Sequence, residues 1–151
     1  MGNASSLLSK GLASEIDAHD AVIRFNRGFP SAAVGRKTTI VFLACTLWKK
    51  EALRYRGAFF VKRSKACRNK TPYALTRSAR LGYIFNGKRP STGFLAIVWA
   101  ISCRCEAIDI YGFDGFSSGT YYSPGNETPH DGEAEIAKIH EFEAQGLLRI
   151  F

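Results

Sequence analysis

His130 stands five positions ahead of Glu135, where a charged helical pattern begins. An imidazole titrates near neutral pH, which suits a general base. Asn3 and Asn26 each carry amide donors and acceptors that can read a polar ligand edge. Ser91, Thr92 and Gly93 follow Pro90 in a turn that opens an apolar run. Ser91 or Thr92 can cap that run as a helix through its hydroxyl. A helix N-terminus offers N–H groups and partial positive charge, so this turn suits an anionic ligand. There is no D-x-D pair to hold a divalent ion. Each of these residues also has a plain structural reading. The asparagines could be turn or strand-end residues, His130 could sit beside a helix cap, and the 91–93 turn could be ordinary packing.

The stretch from Arg89 to Phe116 is what positions them. Phe94 to Ile101 reads as a buried helix, Ala107–Tyr111 as a short strand, and Gly112 breaks it. Upstream, Gly2 to Leu8 is a small-residue loop entering a helical turn, and Ile16 to Asp20 a turn. Ala21–Asn26, Thr38–Leu43 and Ala58–Val61 read as strands, with Leu47–Tyr55 as a helix. Ser64–Pro72 is a basic loop, and Pro72–Tyr83 is helical or irregular. Phe116–Pro129 holds Gly, Ser, Pro and Asn and reads as a mobile loop. Asp131–Gln145 is an amphipathic helix with Ile136, Ile139 and Phe142 on one side. Gly146 ends it, and Leu147–Phe151 is a last strand. Strands alternate with helices, so the fold expected is α/β, a mostly parallel sheet flanked by helices in one domain over residues 1–151.

The 151 residues are 46% hydrophobic, enough for a core and too many for disorder. A net charge of +8 fits either a plain solvated face or an anionic partner: nucleic acid, a membrane surface or an acidic small substrate. Cys45, Cys67, Cys103 and Cys105 form no C-x-x-C pair, which argues against a zinc ribbon. They are expected to be reduced, buried thiols. Neither a secretory leader nor a run of membrane-spanning length is legible.

Three ordered segments together carry a resemblance. Gly2-Asn-Ala, Glu15-Ile-Asp-Ala-His-Asp20, Arg24-Phe-Asn26 and Val34-Gly-Arg-Lys-Thr-Thr39 resemble the large sialyl motif of the sialyltransferases, glycosyltransferase family 29. Pro90-Ser-Thr-Gly93 with Tyr111-Gly-Phe113 resembles the small motif, and His130 with Glu135 the very small motif, H-x-x-x-x-E. The resemblance implies a Rossmann-like variant of the GT-A fold and a metal-independent, inverting transfer of sialic acid, or the related sugar Kdo, from a CMP-sugar to a glycan hydroxyl. It implies that Asn3, Asn26, Ser91, Thr92 and Gly93 bind the donor, that His130 is the general base, and that Glu135 supports the site. No cofactor and no nucleic acid belong to this reading. It places the chain in the cytoplasm if complete, or in the Golgi lumen if it is a fragment of a eukaryotic member.

The chain also departs from the pattern. Thr120-Tyr-Tyr-Ser123 keeps the tyrosines of the family's third short motif without its histidine and acid. The family opens the large motif on a strand ending in a cysteine, whereas Met1 stands directly before Gly2. The resemblance therefore implies a missing first strand, and a Cys105 whose family partner is absent. A second class of function stays open: a non-catalytic domain binding an anion or nucleic acid through Lys62–Lys70, with Phe59, Phe60 and Tyr73 for stacking.

Overall fold

The computed structural model describes residues 1–44, 49–55, 57–62, 83–120 and 128–151. Three strands, β1 (Ile23–Phe25), β2 (Ile40–Leu43) and β3 (Phe59–Lys62), form one sheet in that order. Ile23 pairs with Ile40 and Phe25 with Phe42, and Ile40 pairs in turn with Phe59. Two shorter strands, β4 (Asp109–Ile110) and β5 (Arg149–Ile150), form a second sheet. Every strand pairing among the described residues is parallel, each reached by a connection of a dozen residues or more; between β1 and β2 that connection carries no helix. The expected single sheet is thus divided in two among the described residues. Residues 1–4 run between β1 and β4 and bond to both sides. The Met1 amino group donates to the Ile23 carbonyl at 2.9 Å, and the Gly2 N–H to the Tyr111 carbonyl at 2.5 Å. Only glycine fits at position 2, because a Cβ would lie 2.0 Å from the Gly112 carbonyl oxygen.

One helix joins the two sheets. Among the described residues the α-helices are α1 (Ala13–Ala18), α2 (Lys49–Ala52), α3 (Thr92–Ser102) and α4 (Gly132–Ala144). On α3, Leu95 and Ala96 pack with Phe25 and Phe42 of the first sheet. Phe94 and Ile97 pack with Ile110, Leu148 and the Ile139 and Phe142 face of α4. Burying both flanks explains why its sequence is apolar almost all round. Ser91 is its N-cap, the Oγ accepting from Phe94 N at 3.1 Å. Asp131 caps α4 in the same way, accepting from Ala134 N at 3.0 Å. Gly146, at φ 70°, takes the left-handed conformation just past that helix.

Three expectations need correction. Ile16–Ala18 lie within α1 rather than in a turn; a helix of six residues that buries only Ile16 shows no periodicity to read. Cys103 and Cys105 are free but exposed, because they fall at and beyond the end of α3 and past its buried face. The first part of the Phe116–Pro129 loop is pinned, not loose. Ser118 donates to Asp114 Oδ2 through N at 3.2 Å and Oγ at 2.5 Å, Ser5 Oγ donates to the Ser118 carbonyl at 2.5 Å, and Ser5 N to the Gly119 carbonyl at 3.2 Å. Residues 45–48, 56, 63–82 and 121–127 lie outside the described residues, and with them Cys45, Cys67, the Ser64–Pro72 loop, most of Pro72–Tyr83, and Tyr121-Tyr-Ser123.

The V-G-R-K-T-T segment has a structural task. Arg24 on β1 is fully buried. Its guanidinium donates to the carbonyls of Val34 at 3.1 Å, Gly35 at 2.8 Å and Lys37 at 3.0 Å, and to Thr38 Oγ1 at 2.9 Å. A buried cation is tolerable only when its donors are satisfied in this way. The cradle also fixes the end of β1, where Asn26 follows.

A polar cluster ties the second sheet to α1. Arg149 grips Asp109 with two bonds of 2.7 Å, and His19 Nε2 lies 2.9 Å from Asp109 Oδ2. The bond to Asp109 raises the His19 pKa above its usual value, against a smaller opposing effect of burial. Burial alone would raise the Asp109 carboxyl, but the bonds from Arg149 and His19 outweigh it and hold it below the usual carboxylate range. A base with a raised folded pKa contributes stability below its unfolded pKa of about 6.5 and loses it as pH rises through the folded value. A carboxyl with a lowered pKa loses its contribution as pH falls through its folded value. His19→Gln is therefore expected to lower the melting temperature most in mildly acidic solution. The gap to the native chain should close as pH rises past neutrality; a gap constant with pH would refute the coupling.

Candidate functional site

A cavity of about 170 Å³ opens where residues 2–4, the end of β1, the N-terminus of α3, the 112–120 turn and the start of α4 meet. Asn3, Asn26, Ser91, Thr92, Gly93, His130 and Glu135 all line it. The seven residues singled out from the sequence, spread from position 3 to position 135, thus converge on one space. Asn26 has φ 49°, a conformation asparagine tolerates better than most residues. Its Oδ1 accepts from Ala44 N at 2.8 Å, which ties the ends of β1 and β2 together. Asn3 Nδ2 donates to the Phe25 carbonyl at 3.2 Å.

The N-terminus of α3 is held from below by α4. Glu135, 4% exposed, accepts from Ser91 N and from Ser91 Oγ, each at 2.6 Å. Ser91 Oγ in turn caps Phe94 N, and Leu95 N bonds to the Ser91 carbonyl at 3.1 Å. The helix N–H groups left to face a ligand are those of Thr92 and Gly93. Gly93 packs under Phe113, whose ring would lie 2.8 Å from an added Cβ. The Glu135 carboxylate thus faces Ser91. Burial pushes its carboxyl above the usual range, and the two Ser91 bonds draw it back.

His130 Nδ1 lies 2.8 Å from the Arg89 carbonyl oxygen. A carbonyl only accepts, so in the neutral ring Nδ1 carries the proton and Nε2 carries the lone pair. Nε2 is then the nitrogen able to take a proton. The sequence reading quoted Phe113 within the small-motif resemblance but gave it no role, and did not single out Asp114 or Phe116; all three line the cavity. The Tyr111-Gly-Phe-Asp-Gly-Phe116 string was visible as a strand end followed by a glycine turn, and that was the available signal. Among the described residues, no three His, Cys, Asp or Glu side chains converge to hold a metal ion. No described helix is long and apolar enough to cross a membrane. The basic loop of the alternative reading falls mostly outside the described residues.

The α/β fold that carries this cavity is shared with solved structures. Two crystal structures of a mammalian sialyltransferase superpose with TM-scores of 0.68 and 0.66, at 23% and 24% identity. Each match covers 99% of this chain and 66% of the other, and the second structure holds Gal-beta-1-3GalNAc-ortho-nitrophenol. The sequence model of glycosyltransferase family 29 (sialyltransferase) matches residues 1–68 and 53–147, and the chain belongs to that family. Its curated relatives include CMP-N-acetylneuraminate-beta-galactosamide-alpha-2,3-sialyltransferase 1 of Sus scrofa, 24% identical over 93% of this chain and 50% of the relative. The Mus musculus protein of the same name is 25% identical over 100% of this chain and 57% of its own length. The chain spans about half the length of the curated relatives it matches.

Proposed function

We propose that this chain transfers sialic acid from CMP-sialic acid to a glycan hydroxyl, without a metal ion and with inversion at the anomeric carbon. The reading takes the fold as a Rossmann-like GT-A variant. One observation carries it: residues from three separate motifs line a single cavity. In this reading the CMP part lies against Asn3 and Asn26. With Oδ1 of Asn26 engaged by Ala44, its Nδ2 is the group offered to the nucleotide. The phosphate faces Thr92 and Gly93, where the α3 N-terminus stabilises the charge that develops on departure. The acceptor oxygen forms its bond to the anomeric carbon as its proton passes to His130 Nε2. The carbon–oxygen bond to phosphate breaks, and CMP leaves with the electron pair. A monophosphate leaving group, with helix N–H groups facing it, has less need of a cation than a diphosphate.

Calorimetry with CMP tests the site. The folded protein should bind CMP, and Asn26→Ala should weaken binding by about 1–3 kcal/mol, the usual cost of an unpaired polar partner. Incubation with a Gal-beta-1-3GalNAc acceptor should then yield product from CMP-sialic acid, with CMP-Kdo as the comparison donor. Absence of CMP binding by folded protein would overturn the assignment. If salt-sensitive RNA binding appeared instead, the alternative class would take its place.

A further inference from the structure

Phe116 has a backbone conformation that its side chain does not favour. Its φ is 68°, and Gly115 before it is at 65°, so two successive residues are left-handed. That region suits glycine or asparagine; an aromatic residue there is an outlier held by its surroundings. The surroundings can be named. Asp114 is fastened by Ser118 and by Ser6 Oγ at 3.2 Å. Gly115 presses on the first residue of α4, where a Cβ on Gly132 would lie 2.0 Å from the Gly115 oxygen and 2.7 Å from the Phe116 ring. The ring is not spent on the core, since Phe116 joins none of the four apolar clusters among the described residues. It stacks instead on His130, with ring centroids 6.1 Å apart and planes inclined by 24°. This is offset-stacking geometry.

We propose that Phe116 is a positioning residue for His130. The strained 115–116 turn lays its ring along the imidazole, and the Arg89 carbonyl holds Nδ1. A face contact and an edge contact together fix the plane and the tautomer of one ring. Either alone leaves a rotation open, about the stacking axis or about the hydrogen bond. The inference rests on the reading of His130 as the base, and it deepens that reading by naming what keeps Nε2 presented.

The test uses Phe116→Gly, which relieves the backbone while removing the ring, beside Phe116→Leu and Phe116→Tyr. Nitrogen-15 NMR of the His130 ring, under conditions that keep it neutral, reads the tautomer without reference to activity. The native chain should show one tautomer with the proton on Nδ1. The Gly and Leu variants should show averaged tautomers, and Tyr should restore the native pattern. Transfer assays should give a loss in kcat of about tenfold or more for Gly and Leu, from misplacement of a reacting group, with CMP affinity unchanged. Tyr should recover the rate. An unaltered His130 spectrum in both Gly and Leu variants, or a native proton on Nε2, would overturn the proposal. If the native chain transfers no sugar but its His130 spectrum shifts as described, the positioning role stands and the proposed function falls.

Discussion

His130→Ala is expected to lower transfer by about 10²–10⁴-fold, the share of a rate that a positioned acid–base group supplies. CMP affinity should stay near the native value, because the proposed reading sets the nucleotide against Asn3, Asn26 and the α3 N-terminus, which line the cavity with His130. The split follows from the geometry. His130 engages Arg89 through Nδ1, which leaves Nε2 open, in the proposed reading, to a proton that moves only during reaction. An interaction made only in the transition state lowers kcat and kcat/KM together. His130→Gln sharpens the test, since its amide can keep a bond to the Arg89 carbonyl but cannot accept a proton at neutral pH. Equal losses in the Ala and Gln variants would mark proton transfer as the missing element. Full activity in either would place the base elsewhere.

What the sequence made legible follows the range of the interactions. Capping is local, so Ser91 was legible as one of two candidate caps, and Asp131, which caps α4, was legible as the place where that helix begins. The β-branched run at residues 38–43 announced β2, and the apolar run at 94–101 announced α3. Most strand lengths were overestimated, because propensity extends further than pairing does, while β3 keeps the expected four residues one position further on. Of Ala107–Tyr111 only Asp109 and Ile110 pair, with Arg149 and Ile150. The division into two sheets had no local signal, since it depends on where residues 1–4 run. The motifs picked out residues that line one cavity, but not the bonds that organise them. Ser91 meets Glu135 across 44 positions, and Ser5 meets Ser118 across 113. Contacts at such separations leave no periodicity in the chain. Phe116 was hidden for another reason: its φ is imposed by neighbours, against the preference of its own side chain.

Glu135→Ala should be the most damaging single change to the architecture of the site. The carboxylate is 4% exposed and receives both Ser91 N and Ser91 Oγ. Truncation leaves two buried donors without an acceptor, at about 1–3 kcal/mol each. The hydroxyl that caps Phe94 is then free to turn, so the first turn of α3 slackens where Thr92 and Gly93 face the cavity. A drop in melting temperature accompanied by weaker CMP binding is the expected result. Glu135→Gln separates shape from charge, because its carbonyl can accept from Ser91 N and the chain length is kept. The raised pKa supplies the sign. A carboxyl whose folded pKa lies above its unfolded value contributes stability below about pH 4.5 and loses it as pH rises through the folded pKa. The Gln variant has no charge to desolvate, so its stability relative to the native chain should improve from acid toward neutral pH. Native-like melting and CMP affinity in Glu135→Ala would show that α3 is held by its apolar flanks alone, with Leu95, Ala96, Phe94 and Ile97 sufficient to fix its N-terminus.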